Sequence, residues 1–230
     1  MSNSPAIRVY PPGYGHGSYQ SDYQPWLADV AFLETWQRVR ENTLLDLPRL
    51  YTLWDMVEQA TRRNEGAVLE VGVWRGGSGA LMGHRMATCG TSRPLYLADT
   101  FTGVVKAGDR DSYYRGGEHS NTSIDTVREL VDSLGIPTCH LLSGIFPEET
   151  AARISETTLA FCHIDVDVYQ SARDVFEWAW PRLSSGGVVV FDDYGFYGCD
   201  GVTDLVRELR SSKDRVVVPT GNGQALVVKV

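Results

Sequence analysis

Five short apolar runs, each closed by a polar residue and separated from the next by an amphipathic stretch, constrain this chain more than any other feature. They are Ala67-Val-Leu-Glu-Val-Gly72, Pro94-Leu-Tyr-Leu-Ala-Asp99, His140-Leu-Leu-Ser143, Leu159-Ala-Phe-Cys-His-Ile-Asp165 and Val188-Val-Val-Phe-Asp192. None alternates apolar with polar residues, so each reads as a strand covered on both faces. The stretches between them read as helices. Residues 122–134 open on a Thr-x-x-Asp capping pattern and stop at Gly135 and Pro137. Ala172, Val175, Phe176, Ala179 and Leu183 form one face of another helix, ended by Ser184-Ser-Gly-Gly187. Upstream, Leu50, Leu53, Trp54 and Val57 share a helix face, with Pro48 near its start. Strand and helix in repeated alternation predict an α/β fold with a doubly wound, mostly parallel sheet. Arg215-Val-Val-Val218 and Ala225-Leu-Val-Val-Lys229 flank Thr220-Gly-Asn-Gly223, a hairpin signal. The seventh and last strand is therefore expected to run antiparallel, at or near the sheet edge.

Composition fits one domain over residues 1–230: hydrophobic residues make up 43% and charged residues 22%. Twenty-one basic against 29 acidic side chains give a net charge of -8, which argues against binding nucleic acid or an anionic membrane. No apolar run approaches the roughly 20 residues that span a bilayer, and the N-terminus lacks a signal peptide's apolar stretch. Cys89, Cys139, Cys162 and Cys199 form no Cys-x-x-Cys pair and read as small buried thiols, so a cytoplasmic protein is expected. Residues 1–48 read as an arm and a helical cap. The Pro-, Gly- and Tyr-rich first 25 residues, with His16 among them, would fold over the body or serve as a lid. A homodimer packed through this arm and residues 26–36 is compatible with either.

In an open parallel sheet, ligands bind beyond the carboxyl ends of the strands, near the point where strand order reverses. Here those ends carry Glu70 and Gly72, Asp99, Ser143 and Gly144, Asp165 and Asp167, and Asp192 and Asp193. One acidic strand end is ordinary, because Asp caps helices and starts turns. Four converging ends are harder to assign to caps alone. The first strand-to-helix turn, residues 70–78, is glycine-rich but lacks the G-x-G-x-x-G spacing of a dinucleotide site. Glu70 would repel a pyrophosphate there, while Asp99 is placed to accept ribose hydroxyls. A cofactor with a ribose, no phosphate and a cationic amino-acid end fits, and S-adenosylmethionine answers that description better than NAD. Three or four carboxylates among Asp165, Asp167, Asp192 and Asp193 would repel one another unless protonated or neutralised. All-oxygen donors favour Mg²⁺ over Ca²⁺ or Mn²⁺. The plainer reading of Asp192 and Asp193 is an acidic turn before the next helix. His163, two residues before Asp165, is an alternative base or a packed strand histidine. His119, on a loop with Arg110, Tyr113, Tyr114 and Arg115, touches the acceptor or is solvated.

Four segments resemble the macrocin O-methyltransferase family, which methylates sugar hydroxyls on bacterial natural products. They are Glu70-Val-Gly-Val-Trp-Arg-Gly-Gly-Ser78, Leu97-Ala-Asp-Thr-Phe-Thr-Gly103, His163-Ile-Asp-Val-Asp-Val-Tyr169 and Gly186-Gly-Val-Val-Val-Phe-Asp-Asp-Tyr-Gly195. The likeness runs over residues 49–206 and overlaps the metal-dependent catechol and caffeoyl-CoA O-methyltransferases. It implies a class I, Rossmann-like methyltransferase using S-adenosylmethionine and Mg²⁺ on a small glycosylated acceptor. By matching positions it implies that Glu70, Gly72 and Ser78 line the methionine and ribose end of the cofactor. Asp99 would hold the ribose, Ser143 and Gly144 would lie near the adenine, and Asp167 near the amino group. It makes Asp165, Asp192 and Asp193 metal ligands and Asp165 the general base. The chain departs from the family with Asp165-Val-Asp167 in place of Asp-Gly-Asp, Tyr169-Gln-Ser171 in place of Tyr-Glu-Ser, and its own loop at residues 101–121. These departures bear on the acceptor. A phenolic or catechol acceptor, an NAD-dependent oxidoreductase and a non-catalytic S-adenosylmethionine-binding protein are the rival readings.

Overall fold

A computed structural model describes residues 23–91 and 93–230. The expectations placed on the first 22 residues, a lid, a subunit contact and His16, lie outside the described residues. Seven strands form one sheet: β1 (Ala67–Val71), β2 (Leu95–Asp99), β3 (Cys139–Ser143), β4 (Leu159–Ile164), β5 (Leu183–Phe191), β6 (Arg215–Pro219) and β7 (Ala225–Lys229). Their order is β3-β2-β1-β4-β5-β7-β6. β1 to β5 pair in parallel, β7 runs antiparallel to β5, and β6 closes the edge against β7. Strand order reverses between β1 and β4, which puts the switch point at the centre of the sheet.

Among the described residues, six α-helices flank it: α1 (Val30–Val39), α2 (Leu47–Arg63), α3 (Gly77–Thr88), α4 (Ile124–Ser133), α5 (Tyr169–Ala179) and α6 (Asp200–Leu209). Successive strand residues point to opposite faces, and here both faces are dry. Val68 and Val190 pack with Leu53, Trp54 and Leu81 of α2 and α3. Their neighbours Leu69 and Val189 pack with Val175, Phe176 and Leu205 of α5 and α6. Two cores fed by one strand explain why the central runs show no alternation.

Two helix boundaries differ from the sequence expectation. α4 is capped by Ser123, whose hydroxyl accepts from the Thr126 amide at 3.2 Å, and Thr122 instead donates its hydroxyl to the Trp74 carbonyl. α5 ends at Ala179, because Pro181 cannot continue a helix. A single 3-10 turn over Trp180–Arg182 follows, and Leu183 to Gly187 belong to β5. Among the described residues, no helix is long and apolar enough to cross a membrane.

Candidate active site

Backbone bonds between neighbouring strand ends build a single rim. The amide of Gly144 donates to Asp99 O, Gly72 to Ala98 O, Asp165 to Val71 O and Asp192 to Ile164 O, all within 2.9–3.0 Å. This continuation of the ladder brings the four acidic ends together. The carbonyl of Asp165 lies where a Cβ on Gly72 would be, 1.6 Å from its ideal position, and Gly72 has a φ of +88°. Glycine at this position is therefore required by the approach of β4 as well as by the turn. Among the described residues, six non-glycine residues take positive φ, and four of them, Trp74, His119, Asp167 and Asp193, line the cavity above the rim. Backbone of that kind persists where its surroundings over-determine it, and it clusters at ligand sites.

The cavity measures about 330 Å³, and its walls include Gly72, Ser78, Asp99, Gly144, Asp165, Asp167 and Asp193. At one end the Asp99 carboxylate organises the first turn. Its Oδ2 accepts from the amides of Val73 at 2.7 Å and Trp74 at 2.8 Å, and its Oδ1 accepts from Phe101 at 2.7 Å. Trp74 Nε1 donates to Asn121 Oδ1 at 2.9 Å, which ties that turn to the loop over residues 101–121. The loop is anchored at a few points, while much of it, His119 included, stays exposed. Asp111, 5% exposed, accepts from the Tyr169 amide at the start of α5, and Lys106 Nζ bridges Glu148 and Asp174. Docking brings Tyr114 and His119 into the cavity wall, with the Tyr114 hydroxyl 3.5 Å from His119 Nε2.

At the other end, one carboxylate oxygen from each of Asp165, Asp192 and Asp193 lies within 4.8 Å of the others. Arg49 enters this cluster from the first turn of α2. Its Nη1 donates to Asp192 Oδ2 at 2.5 Å, its Nη2 to Leu44 O at 3.2 Å, and its guanidinium lies 4.8 Å from the centre of the Phe196 ring. Gln224 Nε2 donates to Asp192 Oδ1 at 2.7 Å, and His163 Nε2 lies 3.7 Å from the same oxygen. Burial opposes the charge of Asp192, but His163 and Arg49 outweigh it and hold this carboxyl below the usual carboxylate range. Asp165 and Asp193 go the other way. Burial and the charges of neighbouring aspartates push both well above that range. Asp193 Oδ2 is buried with no hydrogen-bond partner among the described residues. A cluster of oxygen donors with an orphaned acceptor and uncompensated negative charge has the chemistry of a hard divalent-cation site.

Several expected residues fall outside the cavity. Glu70 and His163 are opposite each other in the β1–β4 register and fully buried, with His163 Nδ1 and Glu70 Oε1 2.8 Å apart. Burial alone would lower the His163 pKa, but Asp192 and Glu70 push it up to about 10. His163 is fully buried and outside the cavity wall, so the structure places it as a packed strand histidine behind the rim and not as a base facing a ligand. Glu70 is outside the cavity wall too: its Oε1 pairs with His163, while its Oε2 is buried with no partner among the described residues, 2.4 Å from where a Cβ on Gly79 would sit. Ser143 is exposed and is not in the cavity wall, whereas Gly144 is. Asp192 stands one layer back, buried between Arg49 and Gln224, with its carboxylate still in the cluster. Sequence reasoning missed Arg49, Cys199, Phe196 and Tyr197, all in the cavity wall. Arg49 did leave a signal: a cation in the first turn of a helix opposes the macrodipole and needs a carboxylate elsewhere.

The sequence profile of the macrocin-O-methyltransferase (TylF) family matches residues 36–218. The chain is 30% identical over 214 residues to mycinamicin III 3''-O-methyltransferase of Micromonospora griseorubida, covering 83% of this chain and 82% of that protein. It is 33% identical over 175 residues to the Streptomyces olivaceus 8-demethyl-8-(2,3-dimethoxy-alpha-L-rhamnosyl)-tetracenomycin-C 4'-O-methyltransferase, covering 71% and 67% of the two chains. Among solved structures it is similar to the O-methyltransferase NovP, with a TM-score of 0.70, 25% identity and 82% of each chain covered. The seven-stranded sheet, the docked strand ends and a profile match over most of the chain agree: this protein belongs to the macrocin O-methyltransferase family of enzymes.

Proposed function

We propose that this enzyme transfers the methyl group of S-adenosylmethionine to a sugar hydroxyl of a bacterial natural-product glycoside, with Mg²⁺ held by Asp165, Asp192 and Asp193. One observation carries the reading. A single cavity joins a glycine-walled turn organised by Asp99 to a buried carboxylate cluster in which Arg49 balances Asp192 but Asp193 keeps an unpartnered oxygen. Methyl transfer is a direct displacement, so it asks for alignment and for a nucleophilic oxygen. When bound, S-adenosylmethionine supplies an electrophilic methyl group and Mg²⁺ supplies charge that acidifies a nearby hydroxyl.

The rest falls to the chain. Gly72, Ser78 and Gly144 wall the cofactor end, and Asp99 both fixes the turn and presents acceptor lone pairs for ribose hydroxyls. Asp167, on the acidic side, suits the cofactor's cationic amino group. Asp165 opens onto the cavity from the end of β4 and is the group to receive the acceptor's proton. Asp192, held ionised by Arg49 and His163, stays a carboxylate throughout. The rhamnosyl group in the name of the tetracenomycin relative supports the choice of a sugar hydroxyl.

The test is calorimetric titration of S-adenosylhomocysteine, with turnover of glycoside acceptors in Mg²⁺ and in EDTA. Expected are micromolar binding, about −8 kcal/mol, and turnover that disappears in EDTA and in Asp165→Ala while binding persists. Full activity in EDTA would remove the metal. No heat from folded protein would remove the cofactor.

A further inference from the structure

We propose that Asp167, Asp193 and Cys199 form a second cation site in the same cavity, one that takes a thiophilic divalent ion such as Zn²⁺ or Co²⁺. One ligand atom of each residue lies within 4.8 Å of the other two, and all three residues line the cavity. That separation lets modest side-chain adjustments gather them about an ion roughly 2.0–2.3 Å from each ligand. Asp193 points to a ligand independently of this grouping. It is 9% exposed, and its Oδ2 has no hydrogen-bond partner among the described residues.

Cys199 adds a second reason. It is the N-cap of α6 and makes no side-chain capping bond. That position favours a hydroxyl or carboxylate oxygen. Here the helix forgoes the cap and places a buried sulfur among carboxylates.

The donor set decides which ion. Asp165, Asp192 and Asp193 offer oxygen alone, which suits a hard ion, whereas a thiolate with two carboxylates selects a softer one. Binding forms a metal–sulfur bond, the thiol proton leaves to solvent, and no oxidation state changes. The two triads share Asp193, so ions at the two sites compete. A thiophilic ion would draw Asp193 from the oxygen site and Asp167 from the cofactor end. This last consequence, inhibition by Zn²⁺, rests on the function proposed above, while the site itself does not.

The experiment is a Co²⁺ titration of the full-length protein, freed of metal and kept reduced, followed by the thiolate-to-cobalt charge-transfer absorption in the near ultraviolet. The expected result is a band saturating at one equivalent. Cys199→Ser should abolish it, and Asp167→Asn should weaken the midpoint at least tenfold. Excess Mg²⁺ should move the midpoint to higher Co²⁺. Serine is a favoured N-cap, so Cys199→Ser keeps the helix start, and a thermal melt verifies that each variant folds. Cys89, Cys139 and Cys162 remain in every variant and serve as controls. No band from folded wild type, or a band undiminished in Cys199→Ser, overturns the site. S-adenosylhomocysteine binding measured on the same samples separates the two proposals. Binding without a cobalt band rejects the thiophilic site alone, and a band without binding rejects the methyltransferase mechanism alone.

Discussion

Replacing Arg49 by methionine isolates the charge that reaches the acidic rim from α2. The Arg49 and Asp192 side chains are 11% and 0% exposed, and they meet at 2.5 Å. Removing one partner of such a pair leaves a buried charge uncompensated, at a cost of about 3–5 kcal/mol. Asp192 would keep the Gln224 bond at 2.7 Å and the His163 charge at 3.7 Å, so the loss belongs near the lower end. About 3 kcal/mol corresponds to a Tm lower by about 6–12 °C in a chain of this length. Asp192→Asn should cost less, because Arg49 retains the Leu44 carbonyl and Asp46, whose carboxylate lies 3.4 Å from its Nε. In the double variant neither charge is stranded. A urea-denaturation cycle in EDTA should therefore give a coupling of about 2 kcal/mol, well beyond the ~0.5 kcal/mol scatter of independent sites. Single-variant costs that simply add would show that Arg49 acts through packing on Phe196 and not through the charge of Asp192.

Three further outcomes follow from other contacts. Asp99→Asn puts an amide N–H where a carboxylate oxygen now accepts from the backbone. S-adenosylhomocysteine affinity should fall by about tenfold to a hundredfold, and unchanged binding by calorimetry would separate that turn from the cofactor. Lys106→Met releases the loop from Glu148 and Asp174. It should cost about 1 kcal/mol or less in stability yet speed amide hydrogen exchange across residues 104–118, and unaltered exchange would show the loop to be held by other contacts. Asp193→Asn removes one of the crowded negative charges and suits its positive φ, where Asn is tolerated. The metal-free variant should melt about 2–4 °C higher, near 1 kcal/mol, while Mg²⁺ binding is lost. A lower melting temperature would mean that the fold already satisfies this carboxylate.

The sheet could be read from the sequence because burial on both faces is written into composition. Val68 and Leu69 serve opposite cores, so no polar residue breaks the run. The rim could be read because its carboxylates sit where the apolar runs stop. Boundaries that depend on distant groups could not. Thr122 and Ser123 are equally able to cap α4, and the choice is made by the Trp74 carbonyl, 48 positions away in sequence. The roles of Glu70 and His163 depend on β1 lying beside β4 in a register that sets these two side chains opposite each other, 93 residues apart. Neither spacing nor composition carries that pairing. Cys199 passed for a small buried thiol because Asp167 reaches it from the loop after β4, 32 residues earlier, and only Asp193 shares its own loop.

The division of charge within the rim shows which part of it is available to a ligand. Four aspartates close together would be ruinous if all were treated alike, and the fold does not treat them alike. Asp192 receives a guanidinium from Arg49 and an amide from Gln224, lies 3.7 Å from the His163 ring, and its carboxyl is held low. Asp165 and Asp193 receive no comparable partner, and their carboxyls are driven high by burial and by one another. The first is an anchored anion whose charge is already balanced. The other two are balanced only by a proton or by a cation entering the cavity. Both face that cavity, whereas Asp192 stands behind it. Cation binding should therefore exchange with protons at Asp165 and Asp193 while Asp192 stays ionised.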